Sequence, residues 1–167
     1  MKTPVLFSLI FLFSLSALQA QSQNEFFEKQ LKYSHDTENW YPSLSVAVDG
    51  LTAEQANWKD DSENHSIGQL LSHLTFWNGR LLESMQGGTP PNFNGNNDET
   101  FDAFDEVGLE LQIQDLDSIM TAMEKKTAEM TPKEIEGWGE TLANIASHNA
   151  YHIGQIVFIR KQNGWWR

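Results

Sequence analysis

The amino-acid sequence from residue 66 to residue 85 is SIGQLLSHLTFWNGRLLESM, and its apolar residues are spaced as on one face of an α-helix. That face consists of Ile67, Leu70, Leu71, Leu74, Leu81 and Met85. Ser66 followed by Gln69 matches a capping box, which predicts that the helix begins there. Gly87 and the prolines that follow it predict its end. Because one face of this helix is apolar, the helix must pack against other elements.

Three more helical segments can be predicted, and no strand stands out. The first lies within residues 24–50, where Pro42 should kink or restart the helix. A long polar stretch after the second helix is able to cross a bundle from end to end. The third helix is predicted at about 100–129. Pro132 should start a short turn, before a fourth helix from about Glu140 to Lys161. The predicted fold class is therefore all-α, a four-helix bundle.

The fourth predicted helix carries two histidines, His148 and His152, four residues apart. Residues at this spacing project from one face of a helix, with their Cβ atoms about 6 Å apart, so that both imidazoles can reach one cation. His73 is the best third ligand, because it shares the inward stripe of the second helix with Leu70 and Leu81. We therefore predict a divalent metal site at His73, His148 and His152. The alternatives are a chance spacing for the pair and a hydrogen-bonded core histidine at position 73.

Other kinds of metal site are less well supported. The second position of the pair is Asn149 and not glutamate, so the general base of a zincin is missing. No helix carries Glu-x-x-His, which argues against a di-iron carboxylate bundle. Haem held by a methionine and a histidine stays open. The chain has no cysteine, which excludes disulfides, thiolate nucleophiles and cysteine zinc sites.

The charge of the chain limits its partners. With 23 acidic residues against 11 basic ones, the net charge is −12, which disfavours nucleic acids and anionic membranes. The expected partner is a small-molecule substrate, and a homodimer is left open.

The first twenty residues have the pattern of a secretory signal. Lys2 precedes the apolar run Val5–Leu18, and Ala20 offers a cleavage point. Because the run is shorter than the roughly 20 residues that span a bilayer, we predict a signal peptide at 1–20 and a mature domain at 24–167. The protein is then exported, to the periplasm or the exterior, without membrane attachment after cleavage. The alternative is an uncleaved N-terminal anchor.

Two motifs resemble one known family. Residues 66–74, SIGQLLSHL, are similar to the opening of the second helix in the DinB/YfiT-like superfamily, and residues 148–160, HNAYHIGQIVFIR, resemble its fourth-helix signature. The resemblance implies an up-down-down-up bundle with a long crossover between helices 2 and 3. It also implies a metal held by His73, His148 and His152. Many relatives have a further histidine where this chain has Tyr151, a position that is not a ligand.

The resemblance implies thiol S-transferase, thiol-dependent isomerase or metal-dependent hydrolase activity. The predicted export argues against a thiol transferase, since thiol cofactors are chiefly cytoplasmic. We predict a metal-dependent hydrolase or transferase that acts on a small molecule. Two alternatives are kept: a non-enzymatic metal- or ligand-binding bundle of the envelope, and a scaffold whose histidines have lost their metal. Zinc or nickel is expected first, and manganese or iron second.

Supporting roles can be suggested for a few more residues. Asn144 and Gln155 could orient a ligand imidazole or contact substrate, or could be plain surface residues. Trp77 is either a wall of the pocket or a core residue. Arg160 could bind an anionic substrate group or be solvated or ion-paired. The two remaining histidines, His35 and His65, are predicted to be surface residues.

Overall fold

The structure is a computed structural model that describes residues 23–61 and 63–166. The predicted signal peptide at 1–20 lies outside the described residues. Six α-helices are present in the described part of the chain: α1 (23–35), α2 (Leu44–Val48), α3 (Ala53–Asn57), α4 (Ile67–Met85), α5 (Glu106–Ala128) and α6 (Pro132–Gln162). A 3₁₀ helix at Asn97–Thr100 precedes α5. The described residues form no strand, so the prediction of an all-helical fold is confirmed.

The first predicted helix, within residues 24–50, is divided into two. Helix α1 ends at residue 35, and the chain becomes helical again only at Leu44, after Pro42. Proline lacks a backbone N–H and disfavours helical dihedrals in the residue before it, which explains the interruption. Helix α3 follows at once, with a capping box between Thr52 and Gln55.

Helix α4 begins where the sequence predicts. The Ser66 hydroxyl accepts a hydrogen bond from the backbone N–H of Gln69, and the Gln69 side chain accepts one from the N–H of Ser66, at 3.2 and 3.0 Å. The helix stops before Gly87, whose φ of 85° is a left-handed conformation that favours glycine. Most residues in the first two turns of α4 are buried, as expected for a helix at the centre of the molecule.

The third helix begins later than predicted, at Glu106 instead of about residue 100. Asp105 caps it by accepting a hydrogen bond from the N–H of Gly108 at 2.8 Å. The residues assigned to its first turn instead belong to the crossover, where Thr100 is buried against α4 at the end of the 3₁₀ helix. The crossover therefore brings a polar residue to the interior of the molecule.

The fourth helix is longer than predicted, and its separation from the turn at Pro132 was wrong. Helix α6 runs without interruption from Pro132 to Gln162, through Gly137 and Gly139. Its first turn is fixed by a capping box between Thr131 and Glu134. Ile135 and Leu142 are both buried, and the packing of these side chains outweighs the low helix propensity of the intervening glycines.

Two hydrophobic clusters form the core. One joins α2, α3, α4, α5 and the second half of α6; the other joins α1, the end of α4, the end of α5 and the first half of α6. The C-terminal tryptophans dock on the bundle: Trp165 packs edge-on against Trp58 at 5.8 Å between ring centroids, and Trp166 is packed against the first cluster. In the described part of the chain, no helix combines the length and the apolar character that crossing a bilayer requires.

Candidate metal centre

The fold brings together the three histidines that the sequence singled out. His73 comes from α4, and His148 and His152 come from successive turns of α6. The Nε2 atom of His148 lies 3.2 Å from Nε2 of His73 and 3.1 Å from Nε2 of His152. His73 and His152 are buried and His148 is half-buried. The three rings thus direct the same nitrogen towards one point.

This spacing fits a small divalent cation. Metal–imidazole bonds of about 2.0–2.1 Å in tetrahedral geometry place neighbouring ligand nitrogens about 3.3 Å apart. The distances of 3.1 and 3.2 Å at His148 are close to this separation. The donor set is also suitable, since neutral imidazole is a common ligand for zinc, nickel, copper and iron. That the three side chains act as ligands stays a prediction.

Thr100 determines which nitrogen of His73 is free. The Thr100 hydroxyl donates its only proton to the carbonyl of Asn97 at 2.7 Å. Its oxygen lies 2.6 Å from Nδ1 of His73 and must therefore accept a hydrogen bond from Nδ1–H. His73 consequently carries its proton on Nδ1, and the lone pair on Nε2 faces the other two histidines. No local pattern in the sequence indicates this contact, because Thr100 comes from the crossover.

Gln155 does the same for His152. The side-chain carbonyl oxygen of Gln155 lies 2.6 Å from Nδ1 of His152 and accepts a hydrogen bond from it. The amide nitrogen of Gln155 is 3.5 Å from the hydroxyl of Tyr151. Of the two roles suggested for Gln155 from the sequence, the contact supports the orientation of an imidazole. Nδ1 of His148, in contrast, is buried without a hydrogen-bond partner of suitable geometry among the described residues.

The two helices that carry the histidines are held together by a buried amide pair. Asn78 of α4 and Asn149 of α6 donate to each other's side-chain oxygens at 2.9 and 3.0 Å. Both are almost fully buried, and Asn149 is adjacent to His148 in the sequence. Because a buried amide is costly unless it is hydrogen-bonded, this pair favours one relative position of α4 and α6. This role of the two residues is not evident from the sequence, because the pairing joins side chains 71 residues apart.

Burial keeps the imidazoles neutral. It lowers the pKa of His73 to about 4, with further lowering from the nearby rings of His152 and His148. Burial likewise lowers the pKa of His152 to about 4, although the hydrogen bond that His152 donates to Gln155 acts in the opposite direction. The pKa of His148 is also lowered by burial. Only neutral imidazole can bind a metal, so at neutral pH all three rings are in the required form.

Aromatic rings surround the cluster. The ring of Phe101 stacks on His73 at 4.2 Å between centroids, and it also stacks on His65 at 3.6 Å. His65 is therefore partly buried and packed, whereas the sequence predicted a surface residue. Trp77 lies edge-on to His73 at 6.4 Å. These contacts restrict the position of the His73 ring.

A cavity of about 550 Å³ opens onto the three histidines. Its other lining residues are Trp77, Leu81, Asn97, Phe101, Thr141, Asn144 and Ile145. Trp77 is thus a wall of the pocket, and Asn144 lies at its edge as an exposed residue. A second cavity, of about 590 Å³, is lined by Tyr151, Gln155 and other residues of α6, by Leu70 of α4 and by residues of the loop before α4, but by none of the three histidines.

Arg160 is in neither cavity. Its guanidinium is buried and donates to the backbone carbonyls of Ala47, Asp49 and Trp165, at 2.7, 2.9 and 3.2 Å. It ties α6 to α2 and to the C-terminal segment. The suggestion that Arg160 binds an anionic substrate group is therefore not supported by its position.

His35 was predicted to lie on the surface, and this was wrong. It is 3% exposed and stands between two carboxylates of α5: Nδ1 is 2.7 Å from Glu124, and Nε2 is 3.0 Å from Asp117. Burial lowers its pKa, but the two hydrogen bonds outweigh burial and raise the pKa above the ordinary value. With Asp36 and Glu124 it also has the spacing of a metal cluster, yet both ring nitrogens are engaged by carboxylates. The contact is best described as an ion pair between α1 and α5.

The fold and the site together define an all-helical protein with three converging imidazoles beneath an open cavity. The family model of the DinB superfamily matches residues 37–156, which include all three histidines. The chain belongs to the DinB superfamily, as the resemblance of its two motifs implied. No curated protein and no solved structure matches the chain significantly.

Proposed function

We propose that this protein binds a divalent cation through Nε2 of His73, His148 and His152, and that it acts as a metal-dependent hydrolase or transferase on a small molecule. The convergence of the three nitrogens at the base of a 550 Å³ cavity is the observation that carries this proposal. Three protein ligands leave at least one coordination position for water or substrate, the arrangement of a catalytic site. Zinc or nickel is proposed first, and manganese or iron second.

A bound cation of this kind would act as a Lewis acid. It would lower the pKa of a bound water molecule, polarise a carbonyl group of the substrate, or hold a thiolate. The residues of the chain have other tasks. Thr100 and Gln155 keep two imidazoles in the tautomer that binds, and Trp77 and Phe101 reduce the access of water. Asn144 and Thr141 are placed to donate hydrogen bonds to a substrate.

A second candidate function is metal or ligand binding without catalysis. One observation favours it: among the described residues, the cavity is lined by no carboxylate, lysine or tyrosine that could act as a general acid or base. All proton transfer would then depend on the cation and on the imidazoles that hold it.

Metal analysis of untagged protein is the first test. We expect about one equivalent of divalent metal per chain and a large loss of affinity in His152→Ala. His65→Ala is the matched control, because His65 is packed nearby but is outside the cluster. Absence of metal in the purified protein, together with equal affinity of wild type and His152→Ala for added zinc, would contradict the proposal and favour a scaffold that has lost its metal.

An activity panel separates the two candidate functions. Esters, amides and thiol acceptors are offered to the metal-loaded protein, with His73→Ala as the inactive control. Turnover that disappears in the variant supports an enzyme. A loaded protein that binds panel members and turns none over supports the binding function.

The proposal also includes the up-down-down-up order of the bundle. The crossover of about twenty residues between α4 and α5 supports it, since parallel neighbours need a long connection, whereas α5 and α6 are joined by only three residues.

Export is likewise proposed, from the sequence of residues 1–20. N-terminal sequencing of the secreted or periplasmic fraction tests it, and a chain beginning at residue 21 is the expected product.

A further inference from the structure

The walls of the histidine cavity are apolar and rigidly held. Trp77, Leu81, Phe101 and Ile145 form most of them. Trp77 packs edge-on against Phe76 and Phe93, at 5.2 and 5.6 Å between ring centroids, and Phe101 is stacked between imidazoles. Because these rings are fixed by their neighbours, the apolar surface is already formed before a ligand enters.

The described side chains that line the cavity also carry no charge, in a chain whose net charge is −12. Among the described residues that line it, none is aspartate, glutamate, lysine or arginine. The polar lining outside the histidines consists of Asn97, Thr141 and Asn144, which are neutral. An ionised group on the part of a ligand that lies against these walls, away from the cation at the histidines, would lose water without gaining a wall residue of opposite charge, which is unfavourable.

Among the described residues that line the cavity, polar side chains occur at two places. The three Nε2 atoms lie at the base, and the neutral amide and hydroxyl side chains lie towards the opening, where Asn97 and Asn144 are exposed. A ligand that fits this distribution has a metal-binding group at one end and an uncharged apolar body. A volume of about 550 Å³ is within the range that holds a small organic molecule.

We propose that the substrates of this site are uncharged, largely apolar small molecules that present one metal-binding oxygen or sulfur group to the histidines. The walls of the cavity then discriminate against ligands that carry a negative charge outside this metal-binding group. This inference rests on the proposed metal site and names the substrate class for it. The recognition comes from Trp77, Phe101 and Ile145 around the body of the ligand, and from the lack of a cation among the wall residues.

Three hydroxamates test the inference, because they share one metal-binding group and differ in the body. Zinc binding is first measured alone by calorimetry. Acetohydroxamate, benzohydroxamate and 4-carboxybenzohydroxamate are then titrated into the zinc-loaded protein. We expect benzohydroxamate to bind at least tenfold more tightly than acetohydroxamate, because its ring is buried against the walls. We expect 4-carboxybenzohydroxamate to bind at least tenfold more weakly than benzohydroxamate.

A pair of variants separates the walls of the cavity from the overall charge. Asn144→Lys places a cation at the cavity, and Ala143→Lys places the same charge on the neighbouring exposed residue of α6, which does not line it. Both positions are exposed, so both variants should fold. We expect Asn144→Lys to bind 4-carboxybenzohydroxamate at least fivefold more tightly than Ala143→Lys does.

The outcomes distinguish the inference from the function on which it rests. Failure of zinc to bind would overturn both. If zinc binds and hydroxamates bind in a zinc-dependent way, but the three affinities are within threefold of one another, the metal site stands and the substrate class is wrong. Equal effects of the two lysine variants would show that the discrimination comes from net charge, which would also overturn the role of the walls.

Discussion

Two hydrogen bonds determine the tautomers of His73 and His152 in the candidate site. Thr100 and Gln155 each accept a hydrogen bond from Nδ1–H of an imidazole and leave Nε2 free. Such partners usually fix the orientation of a ligand ring and influence its affinity for the metal. Gln155 is the better test of this role, because it is on the same helix as its histidine and is only partly buried.

We expect Gln155→Met to weaken metal affinity by about ten- to a hundredfold, since the ring of His152 loses its acceptor. Gln155→Glu should keep the affinity within a few-fold of wild type, because a carboxylate accepts the same hydrogen bond. Competition with a chromophoric chelator gives both affinities, and circular dichroism checks that the variants fold. If both variants weakened binding equally, the hydrogen bond would have no part in orienting His152.

The ion pair of His35 predicts a pH dependence of stability. Glu124, Asp117 and Asp36 all act on the imidazole and raise its pKa above the ordinary value, against the effect of burial. A group whose pKa is raised on folding stabilises the folded state fully below its unfolded pKa, near 6.5, and this stabilisation is lost as pH rises through the folded pKa.

We therefore expect His35→Gln to cost about 3 kcal/mol of unfolding free energy at pH 6, because it leaves buried Glu124 without its charged partner. The cost should become smaller at pH 9, because the charge on the wild-type imidazole is lost as pH rises through its folded pKa. Urea unfolding of both proteins at the two pH values measures the difference, in which the contributions of the other histidines cancel. A cost that does not change with pH would contradict the charged form of His35.

Helix α6 offers a matched pair of glycines at the scale of a single element. A Cβ at Gly137 would meet no atom within 4 Å, whereas a Cβ at Gly139 would lie 3.1 Å from the ring of Phe27. Both positions are inside the helix, where alanine is intrinsically favoured over glycine by roughly 1 kcal/mol.

We expect Gly137→Ala to raise the unfolding free energy by about 0.5–1 kcal/mol. Gly139→Ala should gain less or lose stability, because the Phe27 ring of α1 must move. Denaturant unfolding of the two variants in parallel gives the comparison. Equal gains at both positions would mean that α1 does not pack closely against this part of α6.

At the scale of the whole molecule, the site joins distant parts of the chain. His73 and His148 are 75 residues apart, and α4 and α6 are held in register by the amide pair of Asn78 and Asn149. A ligand that binds only the assembled site stabilises the whole folded state.

Zinc at a thousand times its Kd should therefore add about 4 kcal/mol to the unfolding free energy, or roughly 10 °C to the Tm of a domain of this size. Calorimetric scans with and without zinc test this. His152→Ala should show little of the increase, and His65→Ala should keep it. An equal increase in both variants would place the zinc elsewhere on the protein.

The sequence by itself determined what depends on neighbours a few residues away. The start of α4, the end at Gly87, the interruption near Pro42 and the shared face of His148 and His152 all follow from local dihedral preferences, capping and the 3.6-residue period. These predictions are confirmed, as is the membership in the DinB superfamily.

Only the tertiary structure decided what depends on long-range packing. It placed Nε2 of His73 within 3.2 Å of His148, brought Thr100 from the crossover to orient that ring, buried His35 between two carboxylates and continued α6 through its glycines. Each of these features joins residues far apart in the chain, or lets burial outweigh a local propensity. Such contacts cannot be predicted from a short stretch of sequence, because their free energy arises only when the helices pack.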